Sequence, residues 1–325
     1  MMLLPIAMIL IGLAVLVWSA DLFVDGAAAV ALNFGISTLL VGIVIIGFGT
    51  SAPEMTVSVL AAMQGNPGLA LGNAYGSNIT NIALILGITA LVSPVLMRSQ
   101  LLKQELPILL GFTILAFFHL KDGQITRLEG TIEIVVLFVV MVWVTLQSRK
   151  DSSHGDALET ELDKEFVHIK SSKAWVMLII GLVLLVISSR MLVWGAVNIA
   201  QGLGVSDLII GLTVVAIGTS LPELASSIAA ARKGEHDLAV GNVIGSNLFN
   251  TLAVVGLAGS IHPMQVPVEV LTRDWLVMFS LTILLFALGY TRKALGEKSI
   301  SRFSGFVLIA IYISYTLYLI YSVVQ

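Results

Sequence analysis

The chain has no cysteine and little charge. Without cysteine there is no disulfide framework, no thiolate nucleophile and no soft-metal thiolate site, and the redox compartment is not legible. Charged residues make up 11% of the 325 positions, against roughly 25% in an average soluble protein. Seventeen basic and 20 acidic side chains cannot coat a soluble globule of this size. That excludes a soluble enzyme, a nucleic-acid binder and a disordered scaffold. The five histidines, His119, His154, His168, His236 and His262, are scattered and form no HExxH motif. Met1 to Val17 is apolar, yet it has no basic stretch and no small-x-small cleavage site before Asp21. It reads as a first transmembrane helix and not as a removable leader.

What is abundant is apolar: 57% of the residues are hydrophobic, and the mean hydropathy is +0.99. Ten stretches are candidates to cross a bilayer core of about 30 Å: 3–20, 36–62, 69–93, 105–120, 128–147, 174–195, 207–231, 238–261, 274–291 and 303–323. The fourth is short enough to be tilted or partly interfacial. All are expected to be helical, because a backbone in lipid must satisfy its own hydrogen bonds. The fold class is therefore an all-α polytopic membrane protein. Thirteen of the basic residues fall in one set of loops and four (Lys121, Arg127, Arg190 and Arg273) on the other side. The positive-inside rule then places both termini outside and the charged 148–173 loop in the cytoplasm. That loop has no EF-hand spacing and reads as a solvated connector. Trp18, Trp143, Trp175 and Trp275 fit an interfacial belt. Asp21, Asp25, Glu105, Glu129, Glu133, Arg190 and Asp274, near span ends, are expected to mark water interfaces or to pair between helices.

The chain repeats itself. GTSAPE at 49–54 recurs as GTSLPE at 218–223, and GNAYGSNITN at 72–81 as GNVIGSNLFN at 241–250, both at an offset of 169 residues. Over 35–88 against 204–257, 22 of 54 positions are identical without a gap. The register extends back through Gly12, Leu13, Ser19, Gly26 and Ala27, which match Gly181, Leu182, Ser188, Gly195 and Ala196. The offset contains five spans, an odd number, so the halves must cross the membrane in opposite senses. Met63 and Gln64 align with Arg232 and Lys233, so the copy facing the cytoplasm has gained the positive charge. The expected organisation is a first five-helix repeat at 1–147, the loop at 148–173 and a second repeat at 174–325. Inverted repeats of this kind mark secondary transporters.

Glu54 and Glu223 lie well inside long apolar spans, at matching positions. A carboxylate near the bilayer centre costs about 3 kcal/mol. No mid-span Lys or Arg is placed to neutralise them, so the missing partner is most simply a bound cation. Pro53 and Pro222 cannot donate to the carbonyls of Gly49 and Gly218, and the helices should break there. Thr50, Ser51, Thr219 and Ser220 are then expected to cap the second half-helices, with freed carbonyls around Gly47 and Ala216 facing the gap. Ser77 and Asn81 share a helix face four residues apart, as do Ser246 and Asn250. Gly72, Gly76, Gly241 and Gly245 are small-xxx-small pairs that permit close helix approach. The candidate ligands are all oxygen, which suits a hard cation such as Ca2+ and disfavours Zn2+ or Cu+. Two carboxylates balance one Ca2+ or two monovalent ions, the physical basis for exchange.

At these residues the chain resembles the Na+/Ca2+ exchangers of the Ca2+/cation antiporter superfamily, and most of all their bacterial, YrbG-like members. The paired GTS-x-PE and GN-x-x-GSN-x-x-N motifs look like that family's alpha-1 and alpha-2 repeats, and the resemblance covers essentially the whole chain. It implies ten helices in two inverted repeats of five. It also implies an ion site at Gly47, Thr50, Ser51, Glu54, Ser77 and Asn81 in the first half and Ala216, Thr219, Ser220, Glu223, Ser246 and Asn250 in the second, the two small residues contributing carbonyls. It implies a bacterial or archaeal inner-membrane antiporter without an organic cofactor, with Ca2+ and Na+ as substrates and the bilayer as partner. No nucleic acid and no obligate protein partner is expected. An amide at Asn250, where K+-dependent relatives carry Asp, implies a K+-independent exchanger. The family's usual three-for-one stoichiometry is likewise an implication of the resemblance. A Ca2+/H+ antiporter shares the architecture, since two close carboxylates can hold a proton between them. An intramembrane enzyme and a cation channel are the remoter readings.

Overall fold

A computed structural model describes residues 3–65, 67–97, 99–151, 169–203, 216–294 and 299–324. The chain is a bundle of long apolar helices. Helix α1 is Leu3–Phe34, and a bent pair follows as α2 (Thr38–Thr50) and α3 (Ala52–Met63). Helix α4 runs from Pro67–Ile79 through a π-helical turn, Thr80–Ile85, into Leu86–Val92. Helices α5 (Glu105–Leu120) and α6 (Arg127–Asp151) end the first half. The second half repeats the order: α7 (Ser171–Gly202), α8 (Ala216–Thr219), α9 (Leu221–Arg232), then α10 (His236–Phe249, a π turn at Asn250–Val254, and Val255–Ile261). Helix α11 (a π turn at Val270–Trp275, then Leu276–Ala294) and α12 (Arg302–Val324) complete it.

Eight helices of the described residues are long and apolar enough to cross a membrane, or nine counting the bent pair α2–α3 as one span. The expected span at 207–231 lies partly outside the described residues, as does most of the 148–173 loop. The first and sixth spans are longer than expected, 32 residues each. The apolar run breaks at Asp21, but the helix continues with Phe23, Val24 and Ala27–Ala31 buried in the bundle, while Asp25 meets Lys233 Nζ at 2.6 Å and Asp21 meets it at 3.6 Å. Trp275 corrects the aromatic-belt expectation. It is buried, donates Nε1–H to the Thr113 carbonyl at 2.7 Å and stacks on Phe279.

Turn chemistry recurs at the repeat spacing. Gly65 and Gly234 take φ of +69° and +80° after α3 and α9, the left-handed stop that suits glycine. The repeat also pairs with itself. Gly12 of α1 backs onto Leu192 of α7, while its counterpart Gly181 backs onto Phe23, the counterpart of Leu192. Gly26 against Leu178 and Gly195 against Ile9 form a second such couple. Two short antiparallel ribbons close the bundle ends: β1 (Val95–Leu96) with β4 (Ser299–Ile300), and β2 (Gln124–Ile125) with β3 (Met264–Gln265). Each ribbon takes one strand from either half. Core packing centres on α4 and α10, and an 18-residue stretch of the α10 span is fully enclosed.

Candidate functional site

The break at the first motif forms as the proline chemistry demands. Helix α2 stops at Thr50, Ser51 sits at φ −79°, ψ 0°, and α3 starts with Pro53 in its first turn at a 44° bend. Ser220 (φ −91°, ψ 9°) and Pro222 repeat the geometry between α8 and α9. The capping expectation fails: neither Ser51 nor Ser220 makes a side-chain cap bond. Their hydroxyls face the opposite repeat instead. Ser220 Oγ donates to Glu54 Oε1 at 3.4 Å, while the Thr50 and Ser51 hydroxyls lie beside the Glu223 carboxylate. Each glutamate therefore sits at the start of its own half-helix, where the helix dipole favours negative charge, and faces hydroxyls from the other half.

The backbone near the breaks is only partly free. The Gly47 carbonyl accepts the Ser51 N–H at 3.1 Å, leaving its second lone pair. On the other side the Ser220 N–H goes to Ile217 at 3.2 Å, and the Gly218 carbonyl exposed by Pro222 accepts Ser189 Oγ at 2.8 Å. Ala216 opens α8. Gly47 and Gly245 admit the close approach of α2 to α10: a Cβ on Gly47 would stand 2.9 Å from the Gly245 Cα.

Thr50, Ser51, Glu54, Ser77, Asn81, Ser220, Glu223, Ser246 and Asn250 are all buried, and Thr219 is half-buried. Thr50 Oγ1 lies 3.0 Å from Asn242 Oδ1 and 3.3 Å from Ser246 Oγ, joining α2 to α10. Asn81 donates to Asn247 Oδ1 at 3.0 Å, joining α4 to α10. The π turn bearing Asn250 packs on α3, which carries Glu54, and the π turn holding Asn81 packs on α9, which carries Glu223. These π turns, common at functional sites, are not legible in the periodicity.

Six oxygens of these residues are buried with no hydrogen-bond partner: Ser51 Oγ, Glu54 Oε2, both carboxylate oxygens of Glu223, Asn81 Oδ1 and Asn250 Oδ1. A buried polar atom left unpaired costs about 1–3 kcal/mol, and these oxygens are free to accept from water or to coordinate a cation. Among the described residues no Lys, Arg or His pairs with either glutamate, and the two carboxylates are close enough to act on each other. The donor set is of one kind, oxygen, and its formal charge is −2 when both acids are ionised.

The sequence reading missed the braces behind the glutamates. Asn73 donates to the Glu54 carbonyl at 3.0 Å and to Ser58 Oγ at 2.9 Å. Its counterpart Asn242 donates to the Glu223 carbonyl at 3.1 Å and to Ser227 Oγ at 2.8 Å, and accepts from Thr50. All four brace residues are identical across the 169-residue shift, which was the available signal. Asn78 donates to Thr251 Oγ1 at 2.9 Å and reaches Met278 Sδ at 3.3 Å.

A helical membrane bundle with two broken helices meeting at paired carboxylates defines a cation-transporting membrane protein. The comparisons make the class specific. Residues 4–146 and 173–321 match the family described as sodium/calcium exchanger protein, and the chain belongs to that family. It is 44% identical to the putative antiporter CaxA of Alkalimonas amylolytica over 99% of this chain and 100% of that protein. It is 40% identical to the inner membrane protein YrbG of Escherichia coli K12 over 90% of each. The sodium/calcium exchanger MaX1 of Methanosarcina acetivorans is 30% identical over 96% of this chain and 97% of its own. The solved sodium-calcium exchanger NCX_Mj superposes with a TM-score of 0.82 at 31% identity, covering 96% of this chain and 98% of that one.

Proposed function

We propose that the chain is a secondary antiporter that exchanges Na+ for Ca2+ by alternating access, electrogenic and independent of K+. Ca2+ and Na+ bind in turn at a site formed by Thr50, Ser51, Glu54, Ser77, Asn81, Thr219, Ser220, Glu223, Ser246 and Asn250, with the carbonyls of Gly47 and Ala216. The observation that carries this reading is the set of six buried, unpartnered oxygens around two carboxylates without a basic partner. Six matches the lower end of the six to eight oxygens that Ca2+ takes. Because Ca2+ and Na+ use the same oxygens, loading one empties the site of the other. Asn73 and Asn242 act behind the ligands, fixing the backbone from which each glutamate projects.

The two halves, 1–147 and 174–325, form the opposed repeats, and the membrane is a bacterial or archaeal inner membrane with both termini outside. The loop charges support that orientation. Purified protein in vesicles loaded with Na+ should take up Ca2+ in proportion to the Na+ gradient at fixed pH, and uptake should respond to an imposed membrane potential. Uptake that follows a proton gradient and ignores Na+ would instead support Ca2+/H+ exchange, the second reading, which the proximity of the two carboxylates favours.

A further inference from the structure

A further buried carboxylate lies outside the proposed ligand set. Glu133, in the second turn of α6, is 1% exposed. Its Oε1 stands 2.6 Å from Nδ1 of His119 on α5, and its Oε2 is buried with no partner. The hydroxyl of Tyr75 on α4 is buried and unpartnered too, and it lies within electrostatic reach of Glu133. The repeat does not dictate this cluster. The 169-residue shift puts Ile244, Leu288 and Arg302 at the positions of Tyr75, His119 and Glu133. Ionisable side chains in membrane spans are costly, and function is their default explanation.

The surroundings hold the pair in place without neutralising it. Gly256 of α10 backs onto α6, where a Cβ would stand 3.2 Å from the Glu133 Cβ, and the α10 stretch Val255–Ile261 carries no titratable side chain. Glu129 on α6 is bound at 2.7 Å to the backbone N–H and the hydroxyl of Thr126. Glu129 and Asp122, in the turn after α5, are the other acids that act on His119. On α11, Arg273 and Asp274 pair with each other at 2.7 Å. Among the described residues no Lys or Arg lies within ion-pair distance of Glu133. One imidazole and one carboxylate are too few ligands for a divalent ion, which takes six or more oxygens. They suit a proton.

We propose that His119 and Glu133, assisted by the Tyr75 hydroxyl, form a proton-binding site separate from the two-glutamate site, whose occupancy regulates cation exchange. One proton is shared between Nδ1 and Oε1. A second proton can settle on the open Oε2, and loss of the shared proton leaves the carboxylate to accept from Tyr75. Tyr75 stands two residues before Ser77 on α4, and the π turn holding Asn81 follows within the next two turns. A change of partner at Tyr75 therefore acts on the helix that carries two of the proposed ligands. Proton loading also adds positive charge to the bundle core, which disfavours cation entry. The regulatory half of the proposal rests on the exchange reading; the proton binding does not.

The test has two arms. Nitrogen-15 NMR of histidine-labelled protein in lipid nanodiscs should show the His119 ring titrating between about pH 5 and 8, with a midpoint that moves in Glu133→Gln. In vesicles, Na+-driven Ca2+ uptake with pH stepped separately on each side should fall on acidification from one side, in step with that titration. His119→Gln should lack this step and keep its high-pH uptake within about twofold of wild type. A His119 ring that does not titrate, a midpoint unmoved by Glu133→Gln, or a His119→Gln flux profile superposing on wild type would overturn the proposal. Should His119→Gln not fold, Tyr75→Phe replaces it in the flux arm, with a shifted step expected and an unshifted one contrary. Absence of Na+-dependent uptake at every pH would refute the exchange reading, and the NMR arm would still decide the proton site.

Discussion

Two of the regions that bury carboxylates, the Glu54–Glu223 site and the Glu133 cluster, solve the same problem differently. Glu133 meets an imidazole at 2.6 Å from a neighbouring helix. Glu54 and Glu223 have a single hydroxyl bond between them, Ser220 to Glu54 at 3.4 Å, and no basic side chain. An acid given a partner by its own chain has one of its oxygens answered when the protein is alone. Acids left without one are satisfied only by something that arrives. The contrast matches the two proposals, a resident proton at Glu133 and a passing cation at Glu54 and Glu223.

The sharpest way to break this contrast is to remove the charge where no internal partner exists. Glu54→Gln and Glu223→Gln should each cost about 3 kcal/mol or more of cation binding, the scale of deleting one member of a buried charge pair. That is a loss above about 100-fold in Ca2+ uptake, read as initial rates in vesicles. Normal transport by both variants would sink the assignment. The next effect concerns the braces. Asn242→Ala removes donors to the Glu223 carbonyl and two serines and an acceptor for Thr50. At about 1 kcal/mol net per hydrogen bond, it should lower stability by about 2–3 kcal/mol and slow exchange about tenfold. Asn73→Ala, which loses two hydrogen bonds, should do about half as much in a thermal-shift assay. Equal effects would mean that the second-half brace has no special role.

Close packing gives a third comparison. Gly245→Ala would press a methyl into the α2 backbone at Ile43, an overpacking cost of about 1–3 kcal/mol. Gly76→Ala faces open space and should be nearly neutral in melting temperature. The smallest effect belongs to the half-exposed Lys233–Asp25 pair. Lys233→Gln should change stability by less than about 1 kcal/mol, and a larger loss in the same assay would give this pair a role in holding α1 in place.

Much of this was legible in the sequence, and for identifiable reasons. Proline at 53 and 222 cannot donate a hydrogen bond, so the two helix breaks follow from covalent structure alone. The 169-residue register placed both glutamates and their hydroxyl neighbours on opposed elements, since identical local chemistry repeats identical geometry. What failed were readings that depend on where a short side chain turns. Ser51 and Ser220 occupy cap positions, yet their hydroxyls face the opposite repeat, a choice set by tertiary contacts. The apolar run of the first span stops at Asp21 while the helix runs on to Phe34, because hydropathy does not register the tertiary burial of Phe23, Val24 and Ala27–Ala31. The π turns at Thr80–Ile85 and Asn250–Val254 leave no trace in a 3.6-residue pattern. The His119–Glu133 pair has no counterpart in the other half, so the repeat that exposed everything else was silent about it.

The central claim is that one pair of acids holds either cation species in turn. Equilibrium Ca2+ binding to the purified protein, titrated with Na+, tests it most directly. One Ca2+ per chain, displaced competitively by Na+ and lost in Glu54→Gln/Glu223→Gln, is the predicted result. Ca2+ binding that survives the double substitution, or that Na+ does not displace, would contradict it.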